Sequence, residues 1–397
     1  MRRLDLFAPT LADARTRIAA VRPSDYARTR NALDGAVTGL SPYITHGFVD
    51  LREVAVGVAA GHRLDPQHRL MFELGWREFF RHVWQHRGDA IFASIHPGPL
   101  PDEAYARELP ADVREGRTGV SVIDTAVRTL YATGYLHNHA RMWLASYLVH
   151  LRRVHWRAGA DWLYAHLLDG DLASNHLSWQ WVAGTFSHKP YLFNADNVAR
   201  YAPAPWHSPG SVIDTSYEAL DTIARGGPLP PVRTRGEGVE EPALHRGLPT
   251  GMRALPASSA AVADRDVWLV HPWGLREPPP DLPANALRLS ICPAEFNATW
   301  AWSGARWAFV GARMAELSAL CWHDSAAAIV AALRSARSVR SADDAHLDTG
   351  LRALADTGPP RHLFAEVERP CTSFSQWWKW ATATDLATQA TSVKAHP

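Results

Sequence analysis

Apolar residues recur at roughly helical spacing through the first half of the chain. In LMFELGWREFFRHVWQH (Leu70 to His86) the positions are Leu70, Leu74, Phe79 and Val83, a pattern that predicts a helix. Asp65-Pro66 ahead of it reads as an N-cap followed by a first-turn proline. GVSVIDTAVRTLYATG closes on Gly134, a C-terminal stop. HNHARMWLASYLVHLRR (His137 to Arg153) predicts a further amphipathic helix with basic residues in its last turn. DWLYAHLL and LASNHLSWQWVAG add two more. Residues from about Leu4 to Ile223 therefore read as an all-α block.

The texture then changes twice. Ala224 to Gly251 is rich in Gly, Pro and charge and predicts an extended linker or irregular surface segment. After it, DVWLVHP, ALRLSICP and WAFVG are apolar runs of strand length, and DSAAAIVAALRSAR (Asp324 to Arg337) reads as a helix. Alternating strand and helix signals argue for a small α/β unit. The predicted fold class is mainly α: a helical domain over residues 1–223, a linker over 224–262 and an α/β unit over 263–397. No GxGxxG or GxxxxGK[ST] loop occurs in that unit, so no nucleotide site is assigned to it.

Composition narrows the function classes. The 397 residues are 47% hydrophobic, enough for a packed interior. With 41 Lys and Arg against 40 Asp and Glu, nucleic-acid binding would require a local basic patch. The three cysteines, Cys292, Cys321 and Cys371, show no ligand spacing. No metal site or disulfide framework is expected, and a reducing cytoplasm fits. The N-terminal stretch has no sustained apolar run and no segment is long enough to span a bilayer, so no membrane partner is expected. A monomer is expected.

Three constellations stand out in the helical block. Glu73, Trp76 and Arg77 share a helix face, as do Asn138, Arg141 and Met142. Alone, the first reads more readily as a surface ion pair beside a half-buried indole and the second as a solvated helix start. In DGDLASNHLSWQW (Asp169 to Trp181), capping explains the aspartates, but not Asn175 one helical turn from Trp179, followed by Trp181.

Together these stretches resemble the photolyase and cryptochrome family. The matching text is TGLSPYITHG (Thr38 to Gly47), ELGWREFFRH (Glu73 to His82), EGRTGVSVIDTAVRTLYATGYLHNHARM (Glu115 to Met142) and DGDLASNHLSWQW, in the family's order and separations. The resemblance runs from roughly Tyr26 to Tyr201. It implies an all-α domain holding FAD. Tyr26 and the segment Thr38, Gly39, Leu40 and Ser41 would grip the phosphates, with Arg77 nearby. Asn138 and Arg141 would lie along the cofactor, with Arg141 paired to Asp169. Asp169 and Asp171 would reach the ring and ribose side. Asn175 would face the flavin N5, where a neutral amide suits an anionic reduced ring better than a carboxylate does.

The activity implied is light-driven repair of pyrimidine dimers in DNA. Glu73 would contact the flipped-out dimer, with Trp76 and Trp181 packed against it and Met142 touching it. The (6-4) members carry histidines where this chain has Asn138 and Met142, which favours the cyclobutane dimer as substrate. Trp179 and Trp156 match the proximal and middle members of the family's tryptophan relay. The distal position falls near Glu103, where only Tyr105 is close. Arg30, Arg77, Arg81, His139 and Arg152 or Arg153 would form the DNA-facing basic surface. The alternative implied is a cryptochrome-like photoreceptor that binds FAD without repair. The antenna domain usual before the helical domain is missing from its place, and the α/β unit reads as a shortened, permuted counterpart, docked by SFSQWWKWAT.

Overall fold

The computed structural model describes residues 6–359 and 361–383; the predicted units' ends at 1–5 and 384–397 lie outside the described residues. The first half is helical, as the periodicity predicts. Its longest helix, Arg69–Arg87, packs on Leu172–Ala183, which also packs on Asn138–Ser146 and Trp156–His166. These four helices carry most of the singled-out residues. Gly134, at φ 65°, ends the helix Ser121–Thr133 in the left-handed conformation that glycine adopts without strain.

Two local expectations are corrected. The helix Arg69–Arg87 is capped by His68, whose Nδ1 accepts the Leu70 N–H at 3.1 Å. Asp65 instead accepts the Gln67 N–H in the turn before it, because its oxygen reaches an amide two residues on. WAFVG lies inside the helix Gly304–Leu317. The Ser303 hydroxyl caps that helix by accepting the Arg306 N–H. Its buried residues, Arg306, Trp307, Phe309, Val310, Arg313, Met314 and Leu317, follow helical spacing, which a five-residue window hides.

The predicted linker is irregular over most of its length yet tied down. Arg235 N–H donates to Arg117 O and Val239 N–H to Glu115 O. It then supplies the short strand β1 (Leu244–His245), antiparallel to β4 (Trp302–Ser303). The remaining strands, β2 (Asp266–Val270), β3 (Leu287–Pro293), β5 (Leu320–Asp324) and β6 (Ser338–Ser341), form one parallel sheet in the order β5-β3-β2-β6. Chain order therefore runs third, second, first, fourth, and the order reverses between β2 and β6. The carboxyl ends at such a reversal form the crevice where open α/β sheets place ligands. Here that crevice faces the helical block.

The two halves share a core. One hydrophobic cluster contains Leu74, Phe79, Leu172 and Leu177 from the helical block together with Trp273, Trp302, Trp307, Phe374 and Trp378 from the second half. The helix Phe374–Ala381 lies on Arg69–Arg87. Phe374 stacks on Trp76 at 4.2 Å and 8°, and Trp378 on Phe72 at 4.3 Å. A Cβ on Gly75 would stand 2.4 Å from the Trp378 ring, so only glycine admits this approach. Glu78 accepts the N–H groups of Leu363 and Phe364, and His82 accepts that of Cys371. A chain ending at residue 262 would expose this apolar surface to water. Such a fragment is predicted to aggregate in size-exclusion chromatography and to lose its cooperative melting transition. A monodisperse, cooperatively folded fragment would contradict the shared core.

Candidate functional site

The DGD turn sits between Leu168 and the helix Leu172–Ala183 at the junction of the two halves. Asp171 is 1% exposed and is the N-cap of that helix, its Oδ1 accepting the Ser174 N–H at 2.8 Å. Its Oδ2 receives Arg81 Nη2 at 2.9 Å and faces Arg77 at 3.6 Å. Burial opposes ionisation of Asp171, but Arg81 and Arg77 outweigh it and hold the carboxyl far below the ordinary range. Asp169 is also buried, and Arg141 Nη2 donates to its Oδ1 and Oδ2 at 3.0 and 2.8 Å. Burial again opposes its charge, and Arg141 overrides it and lowers the pKa.

The loop before the first motif's short helix, Ser41–Thr45, turns at Gly39 with φ 60°. Leu40 supplies no side-chain cap there. Thr38 accepts the Leu40 N–H, and Ser41 supplies a hydrogen bond that helps keep Asp169 charged. Arg77 Nη2 donates to Thr45 Oγ1 at 2.7 Å, and Thr45 in turn donates to Asp169 O. Tyr26 is half-buried, with Glu73 and Arg30 among the charges acting on it. Asn175 is buried and its Nδ2 donates to Ala160 O at 2.8 Å.

The singled-out residues divide by exposure. Asp169, Asp171, Asn175, Trp156 and Trp179 are buried. Glu73 is exposed and paired with Arg30 at 3.3 Å, while Trp76, Met142 and Trp181 are half-buried. Asn138 is exposed, its Nδ2 3.6 Å from the Met142 sulfur. Gly159 makes room for the Trp179 ring, which a Cβ would meet at 2.3 Å. Trp156 Nε1 donates to Ser94 Oγ. Tyr105 lies edge-on to His155 at 6.2 Å, and His155 lies 5.6 Å from Trp156.

The structure turns several predicted DNA-facing cations inward. Arg81 engages two buried carboxylates, Asp171 and Asp344. Arg77 is tied to Thr45 and Asp171. Arg152 forks onto Asp112 at 2.8 and 2.9 Å, and Arg153 donates to Gly227 O. His139 contacts the Asn31 carbonyl. Arg30 is also paired, its Nε on the exposed Glu73 at 3.3 Å.

Three participants were missed in the sequence, all from the second half. Arg306 is fully buried, over Trp302 at 4.0 Å and Tyr164 at 4.9 Å, and its Nη2 donates to Gly170 O at 2.6 Å. Asp344 and His346 follow β6. The only sequence signal was arginine at apolar positions of a helix, Arg306 and Arg313. The loop DDAH carries no motif.

This donor set fits an anionic cofactor. Arg77, Arg81, Arg141 and Arg306 face Asp169, Asp171 and Asp344, leaving one guanidinium without a carboxylate among the described residues. Arg306 Nε and Ser174 Oγ are buried with no protein partner among the described residues. One buried and three part-buried cations, with unsatisfied donors beside them, suit a diphosphate and a hydrogen-bonding ring.

Comparison with known proteins finds matches to part of the chain. Residues 70–203 match the family described as the FAD binding domain of DNA photolyase. A deoxyribodipyrimidine photo-lyase from a Synechococcus species is 32% identical over 195 residues, covering 45% of this chain and 39% of that protein. A cryptochrome DASH from Oryza sativa is 33% identical over 166 residues, covering 40% of this chain and 28% of that protein. The crystal structure of a Synechocystis cryptochrome is similar with a TM-score of 0.45 and 30% identity, covering 50% of this chain and 44% of that one. The chain spans about two fifths or less of the curated relatives it matches. Over this FAD-binding domain the chain is similar to photolyases and cryptochromes alike.

The buried pair Arg141–Asp169 supplies a stability test. Arg141→Met would leave Asp169 uncompensated, a loss of about 3 kcal/mol or more. Urea denaturation at neutral pH measures it, and a loss below about 1 kcal/mol would show that the pair is not load-carrying in the fold.

Proposed function

We propose that this protein is a flavin-dependent photolyase that repairs cyclobutane pyrimidine dimers in DNA under light. The supporting observation is the partition of the site. Buried carboxylates paired with arginines lie inside, while Glu73, Trp76, Trp181 and Met142 stay exposed or half-buried on helices that pack together. In this reading Thr38, Gly39, Leu40, Ser41, Tyr26 and Arg77 hold the diphosphate side of FAD. Arg141, Asp169, Asp171, Asn138 and Asn175 hold and orient the rest. Bound FAD, reduced and excited by light, would supply an electron to the dimer and recover it after the ring opens.

The chain's own groups do the remaining work. Glu73 offers its carboxylate to the dimer bases, and Arg30 beside it holds that carboxylate in place and contacts DNA phosphate. Trp76, Trp181 and Met142 offer apolar surfaces to a base pair already out of its stack. Trp179 and Trp156 are the inner part of an aromatic path for reducing the cofactor. The local pairing of Arg77, Arg81 and Arg152 limits the DNA-binding surface, in keeping with a near-neutral net charge. No helix among the described residues is long and apolar enough to cross a membrane.

A second reading rests on one contact. Phe374 already covers one face of Trp76, which favours a photoreceptor whose lesion pocket is closed. Illuminating the reduced protein with a thymine-dimer oligonucleotide separates the two. Restored absorbance of the intact bases establishes repair; bound flavin without restoration favours the photoreceptor. Glu73→Ala is expected to slow repair about tenfold or more, the worth of a hydrogen bond to a charged group, with flavin retained. Trp179→Phe is expected to suppress photoreduction while sparing repair by chemically reduced protein. Loss of both activities together would contradict the separation of relay from lesion contact.

A further inference from the structure

The α/β unit reaches the DGD turn through a closed ring of hydrogen bonds. Arg81 Nη2 donates to Asp171 at 2.9 Å, and its Nη1 donates to Asp344 Oδ2 at 2.6 Å. Asp344 Oδ1 accepts His346 Nδ1 at 2.6 Å and the His346 N–H at 3.0 Å. His346 Nε2 accepts the Leu172 N–H at 3.2 Å, and Leu172 is bonded to Asp171. With Nδ1 donating and Nε2 accepting, the imidazole is the neutral Nδ1–H tautomer.

The ring has a second support. His346 is 6% exposed, lies flat on Trp273 at 5.1 Å and 8°, and meets Trp84 edge-on at 4.9 Å. Trp273 follows β2 and His346 follows β6, so both stand at the carboxyl ends of the two strands where the sheet order reverses. His271 Nε2 closes that corner on Ala342 O at 3.0 Å. The position that ordinarily receives a ligand in an open α/β sheet is here filled by the helical block.

We infer that Asp344 and His346 are positioning residues of the flavin site, fixing Arg81 and the first amide of the Leu172–Ala183 helix so that Asp171 is held for the cofactor. The inference rests on the FAD-binding reading of the DGD turn. It makes the α/β unit a structural half of that site rather than an appended module. The two groups act through Arg81 and Leu172. Outer partners of this kind set the orientation and charge of the groups they hold.

The test uses the full chain, with FAD titrated into apoprotein and followed by flavin fluorescence. His346→Phe keeps the ring stack and removes both hydrogen bonds; it is expected to weaken FAD binding at least tenfold. His346→Gln offers one donor and one acceptor and is expected to bind within about threefold of wild type. Asp344→Asn keeps the shape and removes one buried negative charge. It is expected to shift the midpoint potential of bound flavin upward, because the lost charge opposed an anionic reduced ring. Wild-type affinity in His346→Phe, or an unchanged potential in Asp344→Asn, overturns the inference. If His346→Phe does not fold, Asp344→Asn alone decides it. A wild-type chain that binds no FAD overturns the underlying reading instead.

Discussion

A carboxylate as enclosed as Asp171 stays charged only while cations and N–H donors surround it. Arg81, Arg77 and the Ser174 amide meet that requirement. The consequences spread outward. The Arg81 guanidinium is committed to Asp171, so it is not free for DNA. Arg81 then needs its own second carboxylate, which comes from beyond β6. The start of the Leu172–Ala183 helix is fixed in the same step, and with it the placement of Asn175, Trp179 and Trp181 along that helix.

This constraint explains how two halves of different texture behave as one structure. The helical block supplies the long packed helices, and the α/β unit supplies Asp344, His346 and Arg306. Trp302 Nε1 donates to Tyr164 Oη across the boundary at 3.3 Å, and Arg306 fills the space beside Gly170 that a Cβ would occupy. The His46 ring sits between the carbonyls of Leu168 and Pro272, again one from each half. A permuted antenna-like unit remains a proposal about ancestry of the fold. Its present physical role, in these contacts, is to enclose the DGD turn.

The sequence made the helical block legible because local chemistry specifies it. Gly134, the 3.6 period and the Asp171 cap act over one or two turns. The pairing of Arg141 with Asp169, implied by the family resemblance, is present in the structure. What stayed hidden depends on distance along the chain. WAFVG reads as a strand because five residues do not reveal a helix that buries two arginines. Asp344 and His346 lie more than 170 residues from Asp171 and Leu172, with no spacing to link them. Arg81 was legible as a cation but not as an interior one, since a helix face does not announce which partner covers it.

The central claim is that the two halves jointly form one cofactor site. Hydrogen–deuterium exchange on the full chain, with and without FAD, tests it most directly. The account predicts that peptides covering 169–182 and 340–347 gain protection together when FAD is added, because the ring through Arg81 and His346 links them. Protection confined to 169–182, with 340–347 exchanging at its apoprotein rate, would contradict it.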